Sequence, residues 1–391
     1  MTAPSRPLKI AVVAGEESGD LLAADLAAAL ARATGRTVDL VGVGGRHLEA
    51  CGLRSFFDPA DIALMGISAI LSDLPRLVRR IGQTARRIAE ERPDCLVTVD
   101  SPEFTLRVAK KLRQFAPDIP IVHYVCPSVW AWRPSRAPAM RSHVDRILCV
   151  LPFEVEELRR LEGPPGTYVG HRLVTDPGVA KAAAMQADRR QPTGAGERTL
   201  LVLPGSRRGE VRRLIEPFRE TVNILHQRGQ NLKLLLPTVP NVADLVRESV
   251  AGWELQPEIL VEPEQKWSAF GSADAALIAS GTVSLELALS GVPMVSCYRF
   301  DRVARLATGL ITVWSAALPN LIADKPLVAE FYDQFVRPKT IARYLEALLD
   351  DTELRRWQMQ GYAEVRESMR TDRPSGEIAA EAVLEVISRR V

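Results

Sequence analysis

Ser280-Gly281-Thr282-Val283-Ser284-Leu285-Glu286 comes after an apolar run, Ala275–Ile278, in the second half of the chain. In the first half, Pro127-Ser128-Val129-Trp130-Ala131-Trp132-Arg133 comes after a similar run, Ile121–Val125. Short apolar runs of this kind are typical of buried strands in a parallel sheet. Such sheets bind ligands at the loops that follow the carboxyl ends of the strands. The two stretches therefore predict an α/β fold with a candidate binding loop in each half.

Apolar runs recur along both halves, and the segments between several of them are long enough for helices. This alternation predicts parallel sheets with crossover helices, and a chain of 391 residues is long enough for two domains. We expect strands at Ile10–Ala14, Val38–Val43, Cys95–Val99, Ile121–Val125 and Ile147–Leu151, and again at Leu200–Leu203, Leu232–Leu236, Ile259–Val261, Ala275–Ile278 and Pro293–Ser296.

The pattern lapses between Thr175 and Arg198, where Ala, Gln, Pro, Gly and charged residues predominate, and we interpret this segment as the approach to an interdomain linker. The end of the chain is helical in character and is expected to cross back onto the first domain. The predicted domains are 1–174, 199–361 and a returning helical segment, 362–391. Two apolar stripes support the helices: Ile341, Tyr344, Leu345, Leu348 and Leu349, then Ala379, Ala382, Val383 and Val386.

The composition excludes several classes of protein. Hydrophobic residues make up 47% and charged residues 25%, with a formal charge of +2, as in a soluble globular protein. The five cysteines form no CxxC pair and the five histidines no HxH or HExxH pattern, so we expect neither disulfides nor a metal site. Gly42-Val43-Gly44-Gly45 lacks the GxGxxG spacing and is interpreted as a tight turn. No apolar stretch resembles a signal peptide or approaches the ~20 residues of a membrane span, which predicts a protein that is cytoplasmic or attached to a membrane surface without crossing it.

The second half carries the clearest candidate site. Leu203-Pro204-Gly205-Ser206-Arg207 ends a predicted strand with a glycine turn and a guanidinium, a combination suited to a diphosphate. Ser280, Gly281 and Thr282 offer backbone N–H groups and hydroxyls at a helix N-terminus. Glu286 lies one turn into an otherwise apolar helix, where a carboxylate needs hydrogen bonds, for example from ribose hydroxyls.

Two loops in the first half carry acidic candidates. Glu16 and Ser18 lie in Gly15-Glu16-Glu17-Ser18-Gly19-Asp20, where a role toward a sugar or acceptor and simple helix capping by Ser18 or Asp20 are both open. Asp100, at the end of the run Cys95–Val99, could act as a general base or, with Ser101, as a helix N-cap.

Trp130, Trp132 and Arg133 have two interpretations. They could line an acyl or sugar pocket with an acceptor phosphate nearby, or the two indoles could belong to the domain core.

A second ambiguous feature is an apolar stripe with arginines beside it, which suits either an anionic membrane surface or an ordinary core-facing helix. Pro75 is expected to break or kink any helix there. The stripe consists of Ile67, Ile70, Leu71, Leu74, Leu77 and Val78.

Nine motifs in order resemble the lipid-A-disaccharide synthase family over nearly the whole chain. PSVWAWR and GEESGD make the resemblance specific, whereas SGTxxLE alone indicates only a nucleotide-sugar enzyme. The motifs are GEESGD (15–20), MGI (65–67), DSPEF (100–104), PSVWAWR (127–133), LPFE (151–154), VGH (169–171), LPGSR (203–207), SGTVSLE (280–286) and LPN (318–320).

The resemblance implies an inverting glycosyltransferase of the GT-B fold, with two Rossmann-like domains facing across a cleft, no cofactor and no metal. It would join UDP-2,3-diacylglucosamine to 2,3-diacylglucosamine 1-phosphate and release UDP, as a monomer or homodimer on the cytoplasmic face of the inner membrane. The implied roles are Asp100 as general base, Glu16 and Ser18 near the reacting sugars, and a donor site of Gly205, Ser206, Arg207, Ser280, Gly281, Thr282, Glu286, Asn320 and Glu330.

Two positions depart from the family pattern: Glu103 replaces an aspartate, and Glu330-Phe331-Tyr332-Asp333-Gln334 replaces Glu-Leu-Leu-Gln, so either Asp333 or Gln334 stands for the family glutamine. The rival hypotheses are another enzyme acting on UDP-N-acetylglucosamine, a transferase or an epimerase, and a non-catalytic, membrane-associated protein that binds a nucleotide-sugar.

Overall fold

The computed structural model describes residues 6–59, 70–189, 196–301, 305, 309 and 311–389, with the backbone alone for 70–75. The chain forms two compact units, Met1–Arg172 with Thr371–Val391, and Leu173–Arg370. Each unit has its own parallel sheet, as the alternating apolar runs predict.

The first unit contains seven described strands, and the second contains six. The strands are β1 (Leu8–Ala14), β2 (Val38–Val43), β3 (Arg54–Ser55), β4 (Cys95–Val99), β5 (Ile121–Tyr124), β6 (Arg146–Cys149), β7 (Gly166–Tyr168), β8 (Arg198–Leu203), β9 (Leu232–Pro237), β10 (Glu258–Leu260), β11 (Ala275–Ala279), β12 (Met294–Tyr298) and β13 (Ala329–Tyr332). All ten predicted strands are confirmed, and β3, β7 and β13 are additional.

The helices pack on both faces of the two sheets. They are α1 (Glu17–Thr34), α2 (Arg46–Ala50), α3 (Ile70–Glu91), α4 (Pro102–Phe115), α5 (Arg136–Met140), α6 (Glu154–Arg160), α7 (Pro177–Asp188), α8 (Arg208–Gln227), α9 (Pro240–Val250), α10 (Pro263–Ser272), α11 (Val283–Ser290), α12 (Leu318–Ala323), α13 (Pro338–Leu349), α14 (Glu353–Ser368) and α15 (Ser375–Ser388).

The first sheet has the order β3-β2-β1-β4-β5-β6-β7. Alternate residues of β1 face opposite cores, with Val12 against α1 and α15, and Val13 against α3 and α4. The returning helix α15 buries Ala379, Ala382, Val383 and Val386, which confirms the predicted stripe. The last helix therefore completes the core that the first helix begins.

The second sheet has the order β10-β9-β8-β11-β12-β13, and every residue of β11 is buried. Helices α8 and α13 cover one face, where Ile341, Leu345, Leu348 and Leu349 lie in the core as predicted. Tyr344 is 38% exposed and so lies at the margin of that stripe.

The predicted linker and domain boundaries differ from the structure. Helix α7 lies inside the predicted linker and belongs to the second unit, where it packs against α10 and α11. Its start is fixed because the Asp176 carboxylate accepts hydrogen bonds from the N–H groups of Gly178 and Val179. The chain passes from one unit to the other at 172/173 and at 370/371, whereas the predicted first and second domains end at 174 and 361.

The apolar stripe with arginines beside it, which suits either a membrane surface or a core-facing helix, lies partly in the core. Helix α3 continues through Pro75, so a break there is wrong, and a kink at Pro75 stays a prediction. Leu77 is buried in the first unit's core, whereas Val78 is 58% exposed. Of the remaining predicted positions, Ile67 and the motif 65–67 lie outside the described residues, as do the side chains of Ile70, Leu71 and Leu74. No helix in the described part of the chain has both the length and the apolar composition that crossing a bilayer requires.

Gly42 lies inside β2 rather than in a turn, and the connection to α2 is the pair Gly44-Gly45. Asp20 of α1 organises that connection, because its carboxylate accepts hydrogen bonds from the N–H groups of Gly45 (2.6 Å) and His47 (2.8 Å). The backbone of Gly42 has φ +132, and a Cβ there would overlap the carbonyl oxygen of Val12 on the paired strand.

Glu154 begins α6 with its carboxylate buried at the end of β6. Its oxygens accept hydrogen bonds from Val150 N (2.9 Å), Leu151 N (3.0 Å) and Trp130 Nε1 (3.3 Å). Burial raises the pKa of Glu154 to about 7, although these hydrogen bonds act in the opposite direction. The folded protein therefore binds a proton at this side chain at pH values where the unfolded chain does not.

Gly42→Ala is expected to destabilise the first unit by about 2–4 kcal/mol, because the new methyl group meets backbone that cannot move without opening β1–β2. The free energy of unfolding in denaturant measures the change. Gly82→Ala is the control, because no atom of the described residues lies within 4 Å of a Cβ there and alanine favours its helix. Equal stability of the Gly42→Ala variant and the parent would contradict the close approach of the strands.

Glu154→Gln is expected to remove part of the pH dependence of stability. A carboxyl whose pKa is raised in the folded state makes the protein less stable as pH rises from about 4.5 to about 7, by up to about 3 kcal/mol in total. Unfolding free energies between pH 4.5 and 8 should therefore show a shallower decline for Glu154→Gln than for the parent. The exposed Glu90→Gln is the control, and parallel curves for parent and Glu154→Gln would disprove the assignment.

Candidate functional site

Both sheets reverse their strand order beside the candidate loops. In the first sheet β1 lies next to β4, with Ala14 paired to Val99. In the second sheet β8 lies next to β11, with Leu203 paired to Ile278. Open α/β sheets bind ligands outside the carboxyl ends of the strands at such reversals. The loops with Glu16 and Asp100 flank one reversal, and those with Arg207 and Ser280 flank the other.

A cavity of about 320 Å³ lies at the reversal in the second unit. It brings together the two loops that the sequence predicts to form one site. It is lined by seven of the predicted residues: Gly205, Ser206, Arg207, Ser280, Gly281, Thr282 and Glu286. No described side chain caps α11, so the helix N-terminus at Thr282 offers backbone N–H groups to a ligand.

Arg207 stands at the start of α8. Its backbone N–H and guanidinium both donate to the buried carboxylate of Glu210, at 3.3 and 3.2 Å. Glu210 also accepts from Ser206 N, and this carboxylate therefore fixes the loop. The Arg207 side chain remains 82% exposed, so it is open to an anionic ligand. The strand end therefore presents a positive charge on a loop of defined shape.

Glu286 faces the same cavity and pairs with Lys266, with 2.6 Å between Nζ and Oε2. Sequence reasoning missed Lys266, which lies on α10 and belongs to neither strand-end loop. Its position in the sequence gives no signal, because a lysine in the first turns of an amphipathic helix is ordinarily a solvent-facing residue. Only the packing of α10 beside α11 brings it to the cavity.

Asn320 and Glu330 form a separate polar cluster and are not among the described residues that line the cavity. The Asn320 side chain is buried and exchanges hydrogen bonds with Val328 N and O at 2.7 and 3.0 Å. Glu330 accepts hydrogen bonds from Ser315 Oγ, Ala316 N and Tyr332 OH. These contacts show that both side chains brace β13 against the segment before α12.

Two residues after Glu330, Asp333 and Gln334, are candidates for the family glutamine, and the choice between them stays a prediction. Asp333 accepts hydrogen bonds from Phe300 N and from Arg305, both at 3.0 Å. Gln334 is exposed. Neither lines the cavity among the described residues.

The first unit has an open cavity of about 910 Å³ beside the β1–α1 loop. Its described lining includes Glu16, Glu17, Asp20, Glu49 and Asp58, which make it acidic. Glu16 and Ser18 are both exposed, but Ser18 is not among the described residues of that lining. Ser18 does not cap α1 either, since its N-cap is Glu16, without a side-chain hydrogen bond.

Asp100 stands on strained backbone at the end of β4. Asp100 and Ser101 have φ values of 49° and 43°, a conformation that costs non-glycine residues energy and recurs at functional sites. The Asp100 carboxylate accepts a hydrogen bond from Ser101 N at 2.8 Å, and no other donor among the described residues reaches it. Neither Asp100 nor Ser101 caps α4 through its side chain, so a carboxylate oxygen remains available.

The two tryptophans have different environments. Trp130 is half-buried, packs edge-on against Phe153 and donates to the buried Glu154. Trp132 is 40% exposed and lies under the guanidinium of Arg133, 4.2 Å from the ring centre. Trp130 therefore supports the core, and Trp132 with Arg133 belongs to the surface.

Glu103, one of the two positions that depart from the family pattern, contacts arginines of the PSVWAWR loop and of α5. It accepts hydrogen bonds from Arg133, at 3.4 Å, and from Arg136. Partial burial acts to raise the pKa of Glu103, but the hydrogen bond and charge of Arg136, together with Arg107 and Arg133, lower it below its usual value. The longer glutamate side chain thus links the start of α4 to the PSVWAWR loop.

Potential metal ligands cluster at one place in the described residues: Cys126, Cys149 and Glu154, whose donor atoms lie within 4.8 Å of one another. All three side chains are buried. Glu154 already accepts three hydrogen bonds, as described above. A side-chain hydrogen bond between Cys126 and Cys149, and after it burial, raise the pKa of the Cys126 thiol far above its ordinary value. These contacts give the cluster a role in packing.

Comparison with known protein families adds the identity of the chain. The family model described as lipid-A-disaccharide synthetase matches residues 10–383. Among curated relatives, the lipid-A-disaccharide synthase of Nitrobacter hamburgensis is 44% identical over 99% of this chain and 97% of its own. The enzyme of the same name from Bradyrhizobium diazoefficiens is 42% identical over 96% of each chain.

Solved structures with low sequence identity share the fold. MurG of Acinetobacter baumannii matches with a TM-score of 0.57 at 13% identity, over 98% of this chain and 100% of its own. A putative UDP-N-acetylglucosamine 2-epimerase from Listeria monocytogenes matches with a TM-score of 0.59 at 15% identity, over 98% and 96%. The architecture is GT-B, with two Rossmann-like parallel-sheet domains. With this fold, and with the family match over nearly its full length, the chain belongs to the lipid-A-disaccharide synthetase family.

Proposed function

We propose that the protein is a hexosyltransferase that joins UDP-2,3-diacylglucosamine to 2,3-diacylglucosamine 1-phosphate. The products are the β-1,6-linked disaccharide 1-phosphate and UDP. One observation carries the proposal: in a chain of this family, the LPGSR and SGTVSLE loops converge on a single cavity in the second unit. The rival reading as an enzyme of UDP-N-acetylglucosamine rests on the fold alone, since the putative epimerase from Listeria monocytogenes is only 15% identical to this chain.

The donor half of the reaction falls to the second unit. The uridine diphosphate group binds at the cavity, with Arg207 and the N-terminus of α11 facing the phosphates and Glu286 the ribose. When the bond from the anomeric carbon to the phosphate oxygen breaks, the electron pair leaves with UDP. Arg207 and the helix N-terminus stabilise that added negative charge. We expect these groups to serve without a metal ion. Asn320 and Glu330 then act by positioning β13 rather than by direct contact.

The acceptor half falls to the first unit. The acceptor 6-hydroxyl attacks the anomeric carbon from the face opposite the leaving UDP, which inverts the configuration. Its proton passes to the Asp100 carboxylate, whose open oxygen supports a role as general base. Glu16 and Ser18, on the neighbouring strand-end loop, bind the sugars, and Trp132 with Arg133 receives an acyl chain or phosphate of the acceptor.

We further propose that the protein acts at the cytoplasmic face of a membrane, attached to the lipid surface through α3. Both substrates carry acyl chains, so the enzyme meets them at a bilayer. Val78 is exposed, and Arg76, Arg79, Arg86 and Arg87 on the same helix are exposed as well. An apolar side chain among arginines suits the boundary between acyl chains and anionic headgroups. Leu77 does not take part, because it lies in the core.

Asp100→Asn is expected to lower turnover by about 10²–10⁴-fold, because an amide cannot accept the acceptor proton. UDP release is measured in detergent with EDTA present, with both acylated sugars as substrates, and the Kd for UDP should stay unchanged. Asp118→Asn is the control, since Asp118 is an exposed carboxylate of the same unit that pairs with Arg92. Parental turnover of Asp100→Asn would refute the assigned base, and loss of parental turnover on EDTA addition would refute metal independence.

Val78→Glu is expected to weaken binding to vesicles that contain anionic phospholipid by about tenfold, because a buried valine side chain contributes about 1.5 kcal/mol or more. Co-sedimentation with vesicles measures the bound fraction, which should also fall as salt is raised. Trp357→Glu is the control, since Trp357 is an exposed aromatic of the second unit. Undiminished binding of Val78→Glu would exclude this surface of α3 as the attachment site.

A further inference from the structure

Lys266 lines the donor cavity but has no role in the mechanism described so far. It lies on α10, and its ammonium pairs with the Glu286 carboxylate at 2.6 Å. Both side chains are largely removed from solvent, with 30% of the lysine side chain and 17% of the glutamate side chain exposed. Screening by water is therefore weaker than for an ordinary surface ion pair.

Aromatic rings fix the position of the lysine. The Lys266 ammonium lies 4.4 Å from the ring centre of Trp267 and 5.5 Å from that of Phe270. The indole itself cannot shift toward α7, because it packs directly against the Cα of Gly178, where even a methyl group would overlap it. Cation–π attraction to a fixed indole holds the ammonium at one place.

Glu286 needs such a partner. It lies in the first turns of α11, whose other residues are mostly buried and apolar, and a carboxylate there has few groups to bind it. The Lys266 ammonium pairs with Oε2. Oε1 accepts no hydrogen bond from any described residue of the chain, although the side chain lines the cavity. The ion pair therefore restricts the rotation of the carboxylate and leaves one oxygen for a ligand.

We propose that Lys266 is a positioning residue of the donor site, which orients Glu286 so that its carboxylate accepts hydrogen bonds from the ribose hydroxyls of the donor. The inference rests on the proposed function, in which Glu286 faces the ribose. Lys266 thereby determines the preference for ribose over deoxyribose. A lysine that instead contacted the diphosphate would strengthen ribo- and deoxyribonucleotides equally.

The test compares binding of UDP and 2′-deoxy-UDP by calorimetry. The parent is expected to prefer UDP by about tenfold or more, the effect of one hydrogen bond to a charged group. Lys266→Met should reduce the preference to about threefold or less, with the loss falling on UDP. Lys266→Arg should restore most of it, because arginine retains the charge. Lys233→Met is the matched control, since Lys233 is an exposed lysine of the same unit paired with Glu258.

Three further variants separate the possible roles. Glu286→Gln should lose the same preference as Lys266→Met, and the double variant should lose little more, since both changes remove one interaction. Arg207→Ala should weaken UDP and 2′-deoxy-UDP alike. Thermal unfolding of each variant shows whether the fold persists, and Lys266→Arg keeps the test valid if Lys266→Met fails to fold.

Equal weakening of both nucleotides by Lys266→Met, or an unchanged preference, would overturn the inference and leave the proposed function standing. A parent that binds UDP without any preference over 2′-deoxy-UDP would also overturn it. Failure of the parent to bind UDP at all would refute the proposed function itself. The two failures are therefore distinguishable in one set of titrations.

Discussion

The register between the two central strands of each sheet is the constraint on which both candidate sites depend. Ala14 pairs with Val99 and Leu203 with Ile278, so the loops that follow these strands begin side by side. A slip of one residue would move a loop by about 3.3 Å and exchange the two faces of a strand. Both faces of β4 and β11 are buried, so such a slip is opposed on each side.

Hydrogen bonds of the first sheet also hold strained backbone in place at the carboxyl ends of its strands. Asp100 and Val125 have positive φ values, which is unfavourable for aspartate and more so for a β-branched valine. Each nonetheless donates its N–H to the neighbouring strand, Asp100 to Tyr124 O and Val125 to Leu148 O. The ladder thus continues into the strained residues and fixes their side chains at the loop, where Asp100 is needed in one orientation.

The sequence predicted the central strands well and the margins poorly. Buried strands such as β4 and β11 appear as apolar runs because both of their faces are covered. The short edge strands β7 and β13 carry half-buried, partly polar residues, so no run marks them. Helical periodicity placed Leu77 and Val78 in one stripe, yet neighbouring residues differ in direction by about 100°, and only packing shows that the first faces the core.

The sequence by itself determined the α/β class, the family and the loops that carry Asp100, Arg207 and Glu286, because strand periodicity and short motifs are local properties of the chain. Tertiary structure alone decided that the Asn320 side chain forms hydrogen bonds with the Val328 backbone and that Lys266 pairs with Glu286. Those contacts join positions whose spacing has no periodic signature. They arise only when α10 packs beside α11 and when the chain after α12 turns back so that the Val328 backbone meets Asn320, and no periodic pattern in the sequence specifies that geometry.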